Sequence, residues 1–142
     1  MKKLFLFIIA TIITTSLYAQ FGVSYHLNNA YIGINYQFND RFLPEARFST
    51  FENLGNIDWE LNLSYIYFNN EIVDAYAGVG VTNFGSSEFI SYFVAPIGLN
   101  IYPFENKAFG FLIEAAPMVG EEVILRGNAG IRFRFMTTEE EE

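Results

Sequence analysis

The sequence predicts an all-β fold, an eight-stranded antiparallel up-and-down transmembrane β-barrel preceded by a cleavable signal peptide. Three observations predict it. The N-terminus has the layout of an export signal, the rest alternates apolar and polar residues with a period of two, and aromatic pairs recur at the ends of alternate segments.

Lys2 and Lys3 form a basic start, and Leu4 to Ile13 are apolar apart from Thr11. Leu17-Tyr18-Ala19 then offers a small residue at a cleavage position, which makes Gln20 the new N-terminus. A membrane-anchoring helix fits less well. The apolar core is shorter than the ~20 residues of a span and is followed at once by Thr14, Thr15 and Ser16. Residues 1–19 are therefore read as a signal peptide, 20–135 as the barrel and 136–142 as an acidic, solvated tail.

After residue 19, Phe, Tyr, Ile, Val and Thr are cut at short intervals by Asn, Gly, Asp and Pro, the pattern of a strand meander. Eight segments are expected, at 21–27, 30–38, 44–51, 57–68, 72–84, 89–103, 109–118 and 123–135. Eight strands of about ten tilted residues use roughly 80 residues, which leaves only short turns. Each segment has two unlike faces. In the last, Leu125, Ala129, Ile131, Phe133 and Phe135 oppose Arg126, Asn128, Gly130, Arg132 and Arg134. In the fourth, Trp59, Leu61, Leu63, Tyr65 and Tyr67 oppose Glu60, Asn62 and Ser64.

Alternation alone fits a soluble barrel with a greasy interior as well as a membrane barrel with a polar one. Aromatic placement favours the second. The even-numbered segments end in Tyr36-Gln-Phe38, Tyr65-Ile-Tyr67, Tyr102-Pro-Phe104 and Phe133-Arg-Phe135. In a meander these ends share one rim, so the eight rings form a girdle of the kind that sits at a membrane interface. Pro103 disturbs the phase at the third pair, so that Tyr102 and Phe104 can face the lumen instead of lipid. Charge balance favours the same choice. Glu45, Glu60, Asp74 and Glu114 share the polar face with Arg47, Arg126, Arg132 and Arg134. Equal numbers of both signs suit a closed, ion-paired lumen, because buried charge needs a partner. Counting from the turns sets Arg47 opposite Glu60, and Glu114 opposite Arg126 or Asn128.

Composition excludes several functions. With no cysteine there is neither a disulfide framework nor a thiolate metal site. The formal charge is −8; without residues 1–19, six basic residues face sixteen acids, a net −10 that argues against a nucleic-acid partner. The only histidine is His26, and its same-face neighbour is Ser24. Both fall on the lumen face, away from lipid, which suits a hydrogen bond better than catalysis. One histidine and scattered carboxylates beside arginines make no metal ligand set. Gly78-Val-Gly80 belongs to a strand, so no phosphate loop is present. No enzyme activity and no cofactor are expected.

The run Ala95-Pro-Ile-Gly-Leu-Asn-Ile-Tyr-Pro-Phe104, then Phe111-Leu-Ile-Glu-Ala-Ala-Pro117, then Gly130-Ile-Arg-Phe-Arg-Phe135 resembles the small outer-membrane β-barrel proteins of the OmpX and OmpA-type. The resemblance implies residence in the outer membrane of a Gram-negative-type bacterium, with lipid and the outer-membrane assembly machinery as partners. It implies that Gly130, Ile131, Phe133 and Phe135 act as the terminal assembly signal. That family ends at or near its last aromatic, whereas Met136 to Glu142 follows here. The expected role is non-enzymatic, structural or as a partner subunit in the cell envelope. A narrow-pore channel or transporter is the alternative, and a soluble exported barrel that binds a hydrophobic ligand is a third.

Overall fold

A computed structural model describes residues 20–50, 57–84, 89–104 and 106–135; the expected signal peptide, the acidic tail and parts of three turns lie outside the described residues. The described chain is all β, in nine strands: β1 (Gln20–His26), β2 (Tyr31–Gln37), β3 (Phe42–Ser49), β4 (Trp59–Asn69), β5 (Val73–Thr82), β6 (Tyr92–Val94), β7 (Ile97–Ile101), β8 (Phe109–Val119) and β9 (Val123–Phe135). Every pairing is antiparallel.

The sheet closes on itself. Phe21 of β1 pairs with Tyr36 of β2 on one side and with Phe135 of β9 on the other. The expected single segment 89–103 is divided because Pro96 has no N–H to give the ladder. The register is nonetheless continuous across the break. Gly80 pairs with Val94 and Ala77 with Ile97, while the Pro96 carbonyl accepts the Gly78 amide at 2.8 Å. β6 and β7 are thus two halves of one stave, and the barrel has eight staves in up-and-down order. An interior of this size is just filled by side chains.

Turn chemistry follows from composition. Between β2 and β3, Asn39 and Asp40 take left-handed φ values of 51° and 52°, which short polar side chains tolerate. Phe38 and Phe42 then exchange two backbone hydrogen bonds that close the hairpin. A bulge between Ile66 and Phe68 shifts the β4–β5 register, so Tyr67 and Phe68 both lie exposed.

The distribution of polarity is inside out. Ile34, Leu61, Leu63, Val79, Leu99 and Ile113 are each about half exposed or more on the outer surface, while Glu60, Asp74, Arg132 and Asn100 are wholly buried. A small apolar cluster of Val94, Ala116 and Met118, with Phe84, Tyr92 and Ile124 against it, fills the interior near the β5–β6 and β8–β9 turns. The other end carries both the start of β1 and the end of β9.

Candidate functional site: the charged lumen

The interior is built by every second residue of each strand, so the period-two pattern alone decides which side chains meet there. All eight charged residues singled out from the sequence point inward and are buried. At the centre is Arg47 on β3, 1% exposed. Its register partner on β4 is Glu60, and its Nη1 donates to Glu60 at 2.8 Å. Across the lumen its two terminal nitrogens grip Glu114 of β8 in a fork, both at 2.7 Å. Its Nε and Nη2 also donate to Glu45 on its own strand, at 3.1 and 2.8 Å. One guanidinium is therefore shared by three carboxylates. Such geometry offsets the large cost of removing these charges from water, because all five donors of an arginine lie in one plane that a carboxylate can match twice.

Three arginines of β9 complete the set. Arg132 donates to Glu45 at 3.1 Å and to Asn100 at 2.9 Å, Arg134 donates to Asp74 at 2.9 Å, and Arg126 meets Glu60 in a 2.6 Å ion contact. Each also lies over a tyrosine ring, Arg126 over Tyr31, Arg132 over Tyr76 and Arg134 over Tyr102, at 4.7 to 6.0 Å. The aromatic faces thereby add an electrostatic attraction to each cation. Tyr76 in turn donates to Glu114 at 2.8 Å.

Room for these large groups comes from glycine. A Cβ on Gly98 would lie 2.6 Å from the Tyr76 hydroxyl oxygen, and one on Gly110 would lie 2.8 Å from the Tyr102 ring. Both tyrosines lie flat against the wall only because those positions have no side chain.

Ser24 and His26 do meet, with Oγ 3.2 Å from Nε2, and both are buried. Ser24 donates to Glu45, and Asn128 donates to His26 Nδ1 at 2.7 Å. The pair is a buried cross-link in the network. Among the described residues no group of histidines and acids could hold a metal.

Around the outside, at the end that carries the strand termini, the aromatic rings touch in sequence. Phe21 stacks on Phe135, Phe38 on Phe42, and Phe42 meets Tyr65 edge-on; Phe109 joins Phe104 to Phe133. Tyr36, Phe38, Tyr65, Tyr67, Phe104, Phe133 and Phe135 lie on this outer ring, but Tyr102 does not. It is 2% exposed, inside the lumen in regular alternation with Gly98 and Asn100, and the phase changes only after it, at Pro103, so that Phe104 of the same pair lies outside. Phe21, Phe42 and Phe109 belong to the ring as well and lie at or next to the starts of their strands, where a pattern of strand-end pairs does not include them.

Lys107 is a further member of the network that the sequence did not announce. Its Nζ donates to Asp74 at 2.8 Å from the β7–β8 turn. A long stem lets a partly exposed turn residue reach the buried Asp74 from the rim. No protein-family model, curated protein or solved structure matches the chain.

Proposed function

We propose that this chain is a non-enzymatic integral β-barrel protein of a bacterial outer membrane, of the small OmpX and OmpA-type, that serves a structural or partner-subunit role in the cell envelope. One observation carries the proposal: a closed barrel whose outer wall is apolar and whose inner wall holds its charges. Water around that outer wall would be costly. An exposed Leu, Ile or Phe that reaches an apolar medium gains up to about 1.5–3 kcal/mol, and such residues recur on the outer faces of most strands. Closure also leaves no sheet edge whose amides need water, the condition a strand must meet in hydrocarbon. The aromatic ring supports an interface at the termini end, and Trp59 against Phe89, 5.1 Å apart, supports a second at the opposite end.

On this reading residues 1–19 direct export and Gly130, Ile131, Phe133 and Phe135 are read by the assembly machinery. Cell fractionation combined with gel mobility tests it. The protein should pellet with outer membranes, and in mild detergent it should run differently before and after boiling. Recovery in the aqueous fraction, with unchanged mobility, refutes membrane residence.

The packed interior further implies that the barrel does not conduct. The Arg47–Glu114 fork spans the lumen from β3 to β8, and the Val94, Ala116 and Met118 cluster fills one end. In planar bilayers the purified protein should give no steady current steps; regular open steps would favour the channel alternative.

A further inference from the structure

The deep ion network is neutral. Glu45, Glu60 and Glu114 stand against Arg47, Arg126 and Arg132. The mouth beside the strand termini is not. There Lys107 and Arg134 share a single acid, Asp74, and Arg41 and Asp40 also line the cavity, one charge of each sign. Among the described residues that line it, the mouth therefore keeps one uncompensated positive charge. It also holds a cavity of about 470 Å³ lined by Gln20, Gln37, Arg41, Asn69, Lys107 and Arg134, together with the turn residues Asn39 and Asp40.

Unused polar groups line the same cavity. Arg134 is 5% exposed, yet its Nε has no hydrogen-bond partner among the described residues. The buried amide ends of Gln20 and Gln37 each leave one atom unpartnered as well. In both the unpartnered atom is the side-chain oxygen, an acceptor, so the free donor of this cavity is the Arg134 Nε. A buried donor without a partner is uncommon in a folded chain, and one that lines an open, positively charged cavity can be satisfied by a bound anion.

We propose that this mouth is an oxyanion site, in which a phosphate or carboxylate group is held by Arg134 and Lys107, with Arg41 completing its contacts. Two sources can supply that chemistry. One is a free phosphate. The other is the chain's own Glu139 to Glu142, which begins four residues beyond Phe135. An extended chain advances about 3.3–3.6 Å per residue, so Glu139 has a reach of roughly 14 Å from a strand end adjoining Arg134. The site does not depend on the membrane reading, since it is formed by the lumen mouth alone.

The test is titration of the folded full chain with inorganic phosphate at constant ionic strength, followed by phosphorus NMR. It compares the wild type, a variant with Glu139, Glu140, Glu141 and Glu142 all changed to Gln, and Lys107→Gln in each background. Lys107 is partly exposed and belongs to the rim, so its loss should leave the barrel folded; boiled and unboiled gel mobility checks this. Saturable binding by the four-Gln variant is expected, weakened about fivefold by Lys107→Gln, the loss of one rim contact. If the wild type binds as tightly as the four-Gln variant, a free anion is the ligand. If it binds about tenfold more weakly, the tail carboxylates fill the site. No saturable binding by the wild type or the four-Gln variant overturns the proposal, as does binding unchanged by Lys107→Gln in a chain shown to be folded.

Discussion

Replacing Arg47 with Met should destabilise the folded barrel by about 3–5 kcal/mol, the cost of removing one partner from a buried ionic group. The substitution keeps much of the side-chain volume, so the loss is electrostatic more than steric. It leaves Glu45, Glu60 and Glu114 facing one another around the space one guanidinium held, with Arg132 left to serve Glu45 and Arg126 to serve Glu60. Glu114 is then the group with no cationic partner in this network, retaining only the Tyr76 hydroxyl at 2.8 Å. Small domains have total stabilities of about 5–15 kcal/mol, so the loss is at least about a fifth of the total and should lower the urea midpoint markedly. A second change separates charge from packing. Glu114→Gln alone removes one arm of the fork, but in the Arg47→Met background it removes an unpaired charge and should recover part of the loss. The double change should therefore be less damaging than the two single changes added together, as expected of groups in direct contact. Urea unfolding followed by gel mobility provides the measurement. Strict additivity, or an Arg47→Met loss below about 1 kcal/mol, would mean that the fork contributes little.

That Arg47 would meet Glu60 was readable from the chain, because both lie on neighbouring strands and the turn fixes their register. That it would grip Glu114 was not. Those residues are 67 positions apart on strands that do not pair, and only closure of the barrel brings them face to face. The same holds for Arg132 with Glu45, Arg134 with Asp74 and Arg126 with Glu60. Alternation identifies which wall a side chain joins, and register identifies its neighbour along the wall. Partners across a lumen depend on strand tilt and stagger, which no single segment encodes. Glu114 illustrates the difference: its register partner is Asn128, one of the two expected, yet its ionic partner is Arg47. Local chemistry accounts for the other discrepancies. Pro96 divides one expected segment, a bulge after Ile66 exposes two successive aromatics, and the alternation that holds Gly98 and Asn100 inside carries Tyr102 inward too, with Phe104 brought outside by the break at Pro103. Lys107 escaped notice because a turn lysine gives no sign of direction, and its destination depends on where Asp74 ends up.

The outer wall offers the sharper test of what the barrel is for. Leu63 lies midway along β4, between Pro44 of β3 and Val79 of β5, and is 49% exposed. Leu27, 60% exposed, lies just beyond the end of β1. In water both leucines are surface residues, and Lys at either place should be neutral or favourable. In a bilayer the positions differ sharply. Lys at mid-depth on the outside of a transmembrane barrel costs about 2–4 kcal/mol, and near an interface about 0–1. Leu63→Lys should thus lower the unfolding free energy in lipid vesicles by several times as much as Leu27→Lys. Neither change touches the lumen network, so any contrast reports only on the medium around the wall. If the two variants unfold alike, hydrocarbon does not surround the belt, and the apolar wall must be covered by protein. If Leu63→Lys alone is severely destabilised, the depth dependence itself identifies the covering as lipid, because a protein partner has no reason to grade its penalty along the barrel axis.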